Sequence, residues 1–155
     1  MTRPLLIALA LILLSATLIT QSNSQSTGRT YLEGTWQADR GFSPAVITRG
    51  GDIIWLAGIT GQSDENGQPI TDFSEQVRQV YRNIDATLRE VESDLSDVVT
   101  VSVFLGDGRH AQQLTDIRKE FFSDGRYPAS ILITNASFAV PEIMVEIQAV
   151  AVVEE

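Results

Sequence analysis

From residue 42 onward the chain switches repeatedly between two hydrophobic spacings. Short apolar runs at 46–48, 53–57, 98–105, 131–133 and 144–153 read as strands, while apolar positions three and four apart at 73–91 and 111–121 read as helices. In the last run Val145, Ile147, Ala149 and Ala151 alternate with Glu146, Gln148, Val150 and Val152, so one face is apolar throughout. The first helix is expected to start at Asp72, with Glu75 three residues on to complete a capping box. Its apolar stripe is Phe73, Val77, Val80, Tyr81, Ile84, Leu88 and Val91, and Arg78, Arg82, Asp85 and Arg89 read as a solvated face. The second helix carries Ala111, Leu114, Ile117 and Phe121 on its buried side and ends before Tyr127-Pro128. Between the first two strands, Arg49-Gly50-Gly51-Asp52 predicts a tight turn and hence a β-hairpin. The order is β-β-α-β-α-β-β, an α/β (α+β) single domain with a mixed sheet and two helices packed on one face.

That arrangement leaves one sheet face without a cover. Val99, Val101, Val103 and Leu105 are expected to face the helices, which turns Thr100, Ser102 and Phe104 to the other side with Glu146 and Gln148. This second set is too mixed for a core and too apolar for open water, and predicts a closed homo-oligomer packed through that face. The alternative is a monomer with one solvated sheet face.

The N-terminus has a different character. Arg3 precedes an uncharged apolar run at 5–14 and a softer stretch at 15–19, the layout of a secretory signal. The run is roughly 15 residues against about 20 for a membrane-spanning helix. Ser22 and Ser24 are spaced like a signal-peptidase site, and with no cysteine a lipoprotein anchor is excluded. Residues 1–24 are therefore read as a signal peptide, 25–40 as a linker or N-terminal segment, and 41–155 as the folded domain. The expected location is periplasmic or extracellular, with no stable membrane association after cleavage; the alternative is an uncleaved N-terminal anchor.

Composition narrows the chemistry. The formal net charge of −9, one unit more negative once Arg3 leaves, disfavours nucleic acid as a partner. Zero cysteines exclude a thiolate nucleophile and a disulfide framework, and a single histidine excludes a histidine-rich zinc site. His110, at the start of the second helix, is expected to face solvent.

The pieces Gly41-Phe42-Ser43-Pro44-Ala45-Val46, Ala57-Gly58, Asp97-Val98-Val99, Val103-Phe104-Leu105, Phe121-Phe122, Tyr127-Pro128-Ala129-Ser130 and 145–152 follow one another in an order that resembles the Rid (YjgF-type) family of enamine/imine deaminases. The resemblance runs from about Gly41 to Val153. It implies a chorismate-mutase-like fold, a homotrimer, small-molecule clefts between subunits, and hydrolysis of imines and enamines to keto acids and ammonia without a metal or other cofactor. It also implies an arginine that grips the substrate carboxylate and a glutamate that places water.

Carried onto this chain, Glu146 takes the glutamate position and Gly58 that of a glycine beside the ligand. Phe42 replaces a tyrosine, Thr115 an asparagine, Ala57 a serine, and Ser130 the arginine. Phe42, Ala57, Gly58, Thr115 and Ser130 are thus the expected substrate-binding residues. A serine hydroxyl offers one neutral hydrogen bond where a guanidinium offers a charged fork, a loss of about 2–5 kcal/mol of anion recognition. With Glu146 nearby and an acidic surface, the pocket is expected to disfavour anions; Arg126 is either a substitute cation or a solvated loop residue. Glu146 either joins the ligand site or pairs with a neighbouring subunit. Three functions follow: a divergent enamine/imine deaminase with an altered interface pocket, a non-catalytic small-molecule-binding trimer, and, well behind, an endoribonuclease.

Overall fold

The structure is a computed structural model that describes residues 28–122 and 125–154, so the signal-peptide reading of 1–24 lies outside the described residues. Its elements are β1 (Gly28–Tyr31), α1 (Trp36–Asp39), β2 (Val46–Arg49), β3 (Asp52–Thr60), α2 (Phe73–Arg89), β4 (Val98–Leu105), α3 (Ala111–Phe121), β5 (Ala129–Thr134) and β6 (Val145–Val153). The main sheet has the order β3-β6-β4-β5, antiparallel except for the parallel β4-β5 pair that α3 connects. Among the described residues no helix is long and apolar enough to cross a membrane.

The alternation read from the sequence decides what is buried. Val145, Ile147, Ala149 and Ala151 of β6 join Val101, Val103 and Leu105 of β4 beneath α2, whose Val77, Val80, Tyr81, Ile84 and Leu88 are fully enclosed. Each such side chain contributes about 1.5–3 kcal/mol of burial. A register shift between Val98 and Thr100 puts Val98, not the expected Val99, into this cluster. Val91 lies beyond the end of α2 and is exposed.

Asp72 caps α2 as expected, accepting from the Glu75 backbone N–H at 3.0 Å. Glu75 does not complete the box, because its carboxylate is taken by Arg78 Nη1 at 2.8 Å. Arg78 also grips Glu120 of α3 through Nε and Nη2 at 2.9 and 2.8 Å, so a residue of the expected solvated face clamps the two helices together. That guanidinium holds the Glu120 carboxyl below the usual carboxylate range.

The expected hairpin does not form. Gly50 and Gly51 take positive φ (75° and 87°) as the turn required, but β2 pairs with β1, antiparallel from Gly28↔Arg49 to Tyr31↔Val46, and β3 pairs with β6. The segment 25–40 therefore contributes a strand and a short helix. Arg29 fastens β1 to the body through Asp97 Oδ1 and Glu154 Oε1, both at 2.9 Å, and through the Ser96 carbonyl.

The uncovered face lies where the pattern put it. Register aligns Thr60-Glu146-Phe104-Ile133, Gly58-Gln148-Ser102-Ile131 and Trp55-Val150-Thr100-Ala129 in three rows across the sheet, on the side away from α2. Trp55 and Ile131 are 74% and 55% exposed there, far more than a settled protein surface asks of such side chains.

Candidate functional site

The six expected site residues fall into two groups on opposite faces of the sheet. Phe42, Thr115 and Ser130 meet on the helix side, in a cleft of about 140 Å³. Ala57, Gly58 and Glu146 lie at or on the uncovered face.

The helix-side group is assembled by strand register and a local bridge. Ser130 is aligned with Val101 of β4, which points toward the helices, and so is turned the same way. The Ser43 N–H donates to the Pro128 carbonyl at 3.1 Å, and the Ser43↔Ala129 bridge lays Phe42 beside the start of β5. The Phe42 ring stands edge-on to Trp36 of α1, centroids 5.5 Å apart. Thr115 is buried and donates its hydroxyl back to the Ala111 carbonyl at 3.1 Å. That commits its one proton to its own helix.

Sequence reading missed the two cations of this cleft, Arg40 and Arg118. Arg118 is 3% exposed; its Nε donates to the Tyr81 hydroxyl and its Nη1 to the Gly41 carbonyl, each at 3.4 Å. Among the described residues no acidic side chain lines the cleft, and within one copy Glu146 lies on the other side of the sheet. Helical spacing carried the signal: Arg118 is four residues from Leu114 and three from Thr115, on the buried stripe. Arg126 sits elsewhere, against Tyr31, Ser96, Phe121 and Phe122, and does not line the Ser130 cleft.

α3 is aimed by the turn before it. Asp107 accepts from the Arg109 backbone N–H at 2.9 Å, and the Arg109 guanidinium, the larger influence, holds the Asp107 carboxyl at about 2. His110, expected in solvent, is corrected to a half-buried ring stacked on Phe73, centroids 4.2 Å apart and 17° from parallel.

On the uncovered face, β3 bulges between Trp55 and Gly58, which leaves Ala57 exposed at the irregularity. Gly58 is needed for close approach: a Cβ there would lie 1.9 Å from Glu146 Oε1, so the carboxylate folds directly over the glycine backbone. Glu146 is half-buried between Thr60 and Phe104, and among the described residues no group donates a hydrogen bond to its carboxylate. Among the described residues no cluster of three or more acidic or histidine side chains is placed to hold a metal ion.

Comparison with known proteins identifies the family and the fold. The endoribonuclease L-PSP family model matches residues 35–153. A RutC family protein of Aquifex aeolicus (strain VF5) is 30% identical over 83 residues, 54% of this chain and 65% of its own length, so the chain spans a little under two thirds of that relative. A protein of Dermatophagoides farinae named 2-iminobutanoate/2-iminopropanoate deaminase is 26% identical over 105 residues, 67% of this chain and 80% of its own. The solved structure of YyfB, a Rid family protein of Yersinia pestis, superposes with a TM-score of 0.72 at 23% identity, covering 81% of this chain and 98% of its own, which is a likeness of fold.

Proposed function

The chain belongs to the Rid (YjgF-type) family, the group of the endoribonuclease L-PSP model, and from that premise we propose that it hydrolyses reactive imines or enamines to a carbonyl compound and ammonia. The observation that carries this is the Glu146 carboxylate lying over Gly58, with no donor to it among the described residues. A carboxylate so placed accepts a proton from a water that attacks the imine carbon and returns it to the departing nitrogen. Water adds across C=N to give a carbinolamine, and collapse of that adduct expels ammonia and leaves C=O. No redox partner enters.

The reading places the reaction between subunits. Glu146 and Gly58 of one copy are brought to the Phe42, Thr115 and Ser130 cleft of another when copies pack through the uncovered face, in a homotrimer by family resemblance. The exposed Trp55 and Ile131 on that face support such packing. The leader composition supports work outside the cytoplasm, in the periplasm or beyond the cell.

The test is ammonia release from freshly generated 2-iminobutanoate, wild type beside Glu146→Gln. Release above the buffer rate, reduced about 100-fold or more in the variant, is expected for a general base; a buffer-level rate in both proteins removes the hydrolase reading. The second reading, a non-catalytic binding protein, is favoured by Phe42 and Ser130, which lack the hydroxyl and guanidinium of the family pattern. Ligand-induced thermal stabilisation without turnover is its signature. A ribonuclease reading is supported by the family model's description and by the names of some neighbouring structures, and is opposed by the charge of −9 and one histidine.

A further inference from the structure

Helix α2 turns two side-chain amides toward the sheet, Gln76 and Asn83, which lie about two helical turns apart along one line. Gln76 is fully buried and Asn83 half-buried. Both are tied to the backbone of the strands that carry the Glu146–Gly58 pair. Asn83 Nδ2 donates to the Thr60 carbonyl at 2.9 Å, just beyond Gly58 on β3. Gln76 Oε1 accepts from the Met144 N–H at 3.0 Å, where the chain enters β6 just before Glu146. In the sheet Thr60 stands opposite Glu146. The two amides thus hold the two sides of one row, from the face opposite the carboxylate.

The Asn83 amide is not free to turn. Its Oδ1 accepts from Gln79 Nε2 at 2.8 Å, and Gln79 Oε1 accepts from Arg82 Nε at 3.1 Å, so a relay along the helix leaves Nδ2 as the atom presented to Thr60. Gly61 then lets the strand end come directly against the helix backbone: a Cβ there would lie 2.3 Å from the Gln76 carbonyl oxygen and 2.9 Å from the Val80 nitrogen. Thr60 is the last residue of β3 and only half-buried, so water could satisfy its carbonyl, and what the Asn83 bond adds is a fixed position.

We propose that Asn83 is a positioning residue for the hydrolytic centre: by holding the end of β3 while Gln76 holds the entry to β6, it sets how the Glu146 carboxylate lies over Gly58. The inference rests on the imine-hydrolase reading for the use of that carboxylate. Glu146 Oε1 lies 1.9 Å from where a Gly58 Cβ would be, a fit so close that a small slide of β3 against β6 alters it. A misplacement of about 1 Å caused away from the chemistry is worth roughly 100-fold in rate.

The experiment measures ammonia release from freshly generated 2-iminobutanoate by the full chain as wild type, Asn83→Ala, Glu146→Gln and the double variant. Thr87→Ala, on the exposed side of the same helix, is the control. Asn83→Ala is expected to lower kcat about tenfold or more with KM within about twofold. In the Glu146→Gln background it is expected to add less than about a twofold loss, because both changes act through one group. Thr87→Ala is expected to keep the wild-type rate. An unchanged kcat in Asn83→Ala, or a loss that multiplies in full in the double variant, overturns the proposal. Should Asn83→Ala fail to fold, Asn83→Asp takes its place, since it keeps the shape and the acceptor for Gln79 but loses the donor to Thr60. Where Glu146→Gln or wild type itself runs at the buffer rate, the side-chain carboxyl carbon resonance of Glu146 in labelled protein decides: it moves between wild type and Asn83→Ala if the proposal holds and coincides if it does not. A buffer-level rate in wild type removes the hydrolase reading while that resonance still tests the placing of the carboxylate. Turnover in wild type matched by Asn83→Ala does the reverse.

Discussion

At the scale of single residues, Gly58 separates packing from chemistry. Its backbone needs no left-handed conformation, and the three nearest atoms a methyl group would meet all belong to the Glu146 side chain, which can swing aside. Gly58→Ala is therefore expected to fold with a melting temperature within a few degrees of wild type while turning the Glu146 carboxylate away, so that imine turnover falls as far as in Glu146→Gln. A thermal melt beside the ammonia-release assay checks both halves; a large loss of stability would mean the two side chains are locked together. Glu146 and Gly58 were visible through the family resemblance, because each stands within a short contiguous motif on a strand. Arg118 stands on the buried stripe of α3 by its spacing from Leu114, but its neighbours Lys119 and Glu120 make the stretch read as a solvated face. The cleft over that position is closed by the 36–42 segment, distant in the chain, which no local pattern announces.

Elements follow the same division. The Asp72 cap of α2 and the alternation of β4 and β6 depend on neighbours within a few residues, and both were legible. The partner of β2 was not, since the glycine turn permits a hairpin but the choice of β1 or β3 as neighbour is made by contacts far along the chain, among them Arg29 with Asp97 and Glu154. Gln76 is the most consequential polar residue of α2. Fully buried, it donates to the Ile70 and Glu142 carbonyls at 2.7 and 2.8 Å and accepts from the Met144 N–H at 3.0 Å, pinning two loops to the helix. Gln76→Leu is expected to cost about 2–4 kcal/mol in a urea melt, through backbone groups left without partners.

The turn before β4 gives a pH signature. Asp94 accepts from the Ser96 hydroxyl and from its backbone N–H at 2.7 Å, which together hold its carboxyl below the ordinary value. Because the folded value lies below the unfolded one, the stabilisation is present above about pH 4 and is lost as pH falls through the folded value. Melts of wild type and Asp94→Asn are expected to differ at neutral pH and to converge on acidification; a gap that does not narrow as the pH falls below about 4 contradicts this assignment.

For the whole molecule, the uncovered sheet face sets the expected assembly. Sedimentation of wild type is expected to show a closed oligomer, and Ile131→Glu, which plants a charge on the uncovered face beside Ser102, is expected to yield monomer with intact secondary structure. Trp55 fluorescence moves to longer wavelength in the same variant as its ring returns to water. A monomeric wild type would withdraw the intersubunit site.

The division of the site residues between two faces of one sheet also has a consequence for inheritance. If each working centre borrows Glu146 from one copy and the Arg118 cleft from its neighbour, no chain owns a complete centre. A lesion in either half can then be answered by a lesion in the other: Glu146→Gln chains and chains with the cleft blocked, each impaired alone, regain activity when unfolded and refolded as a mixture, because some interfaces pair the two healthy halves. Such a protein would tolerate damaged copies in the company of differently damaged ones, and only lesions of the same half would be beyond repair by mixing.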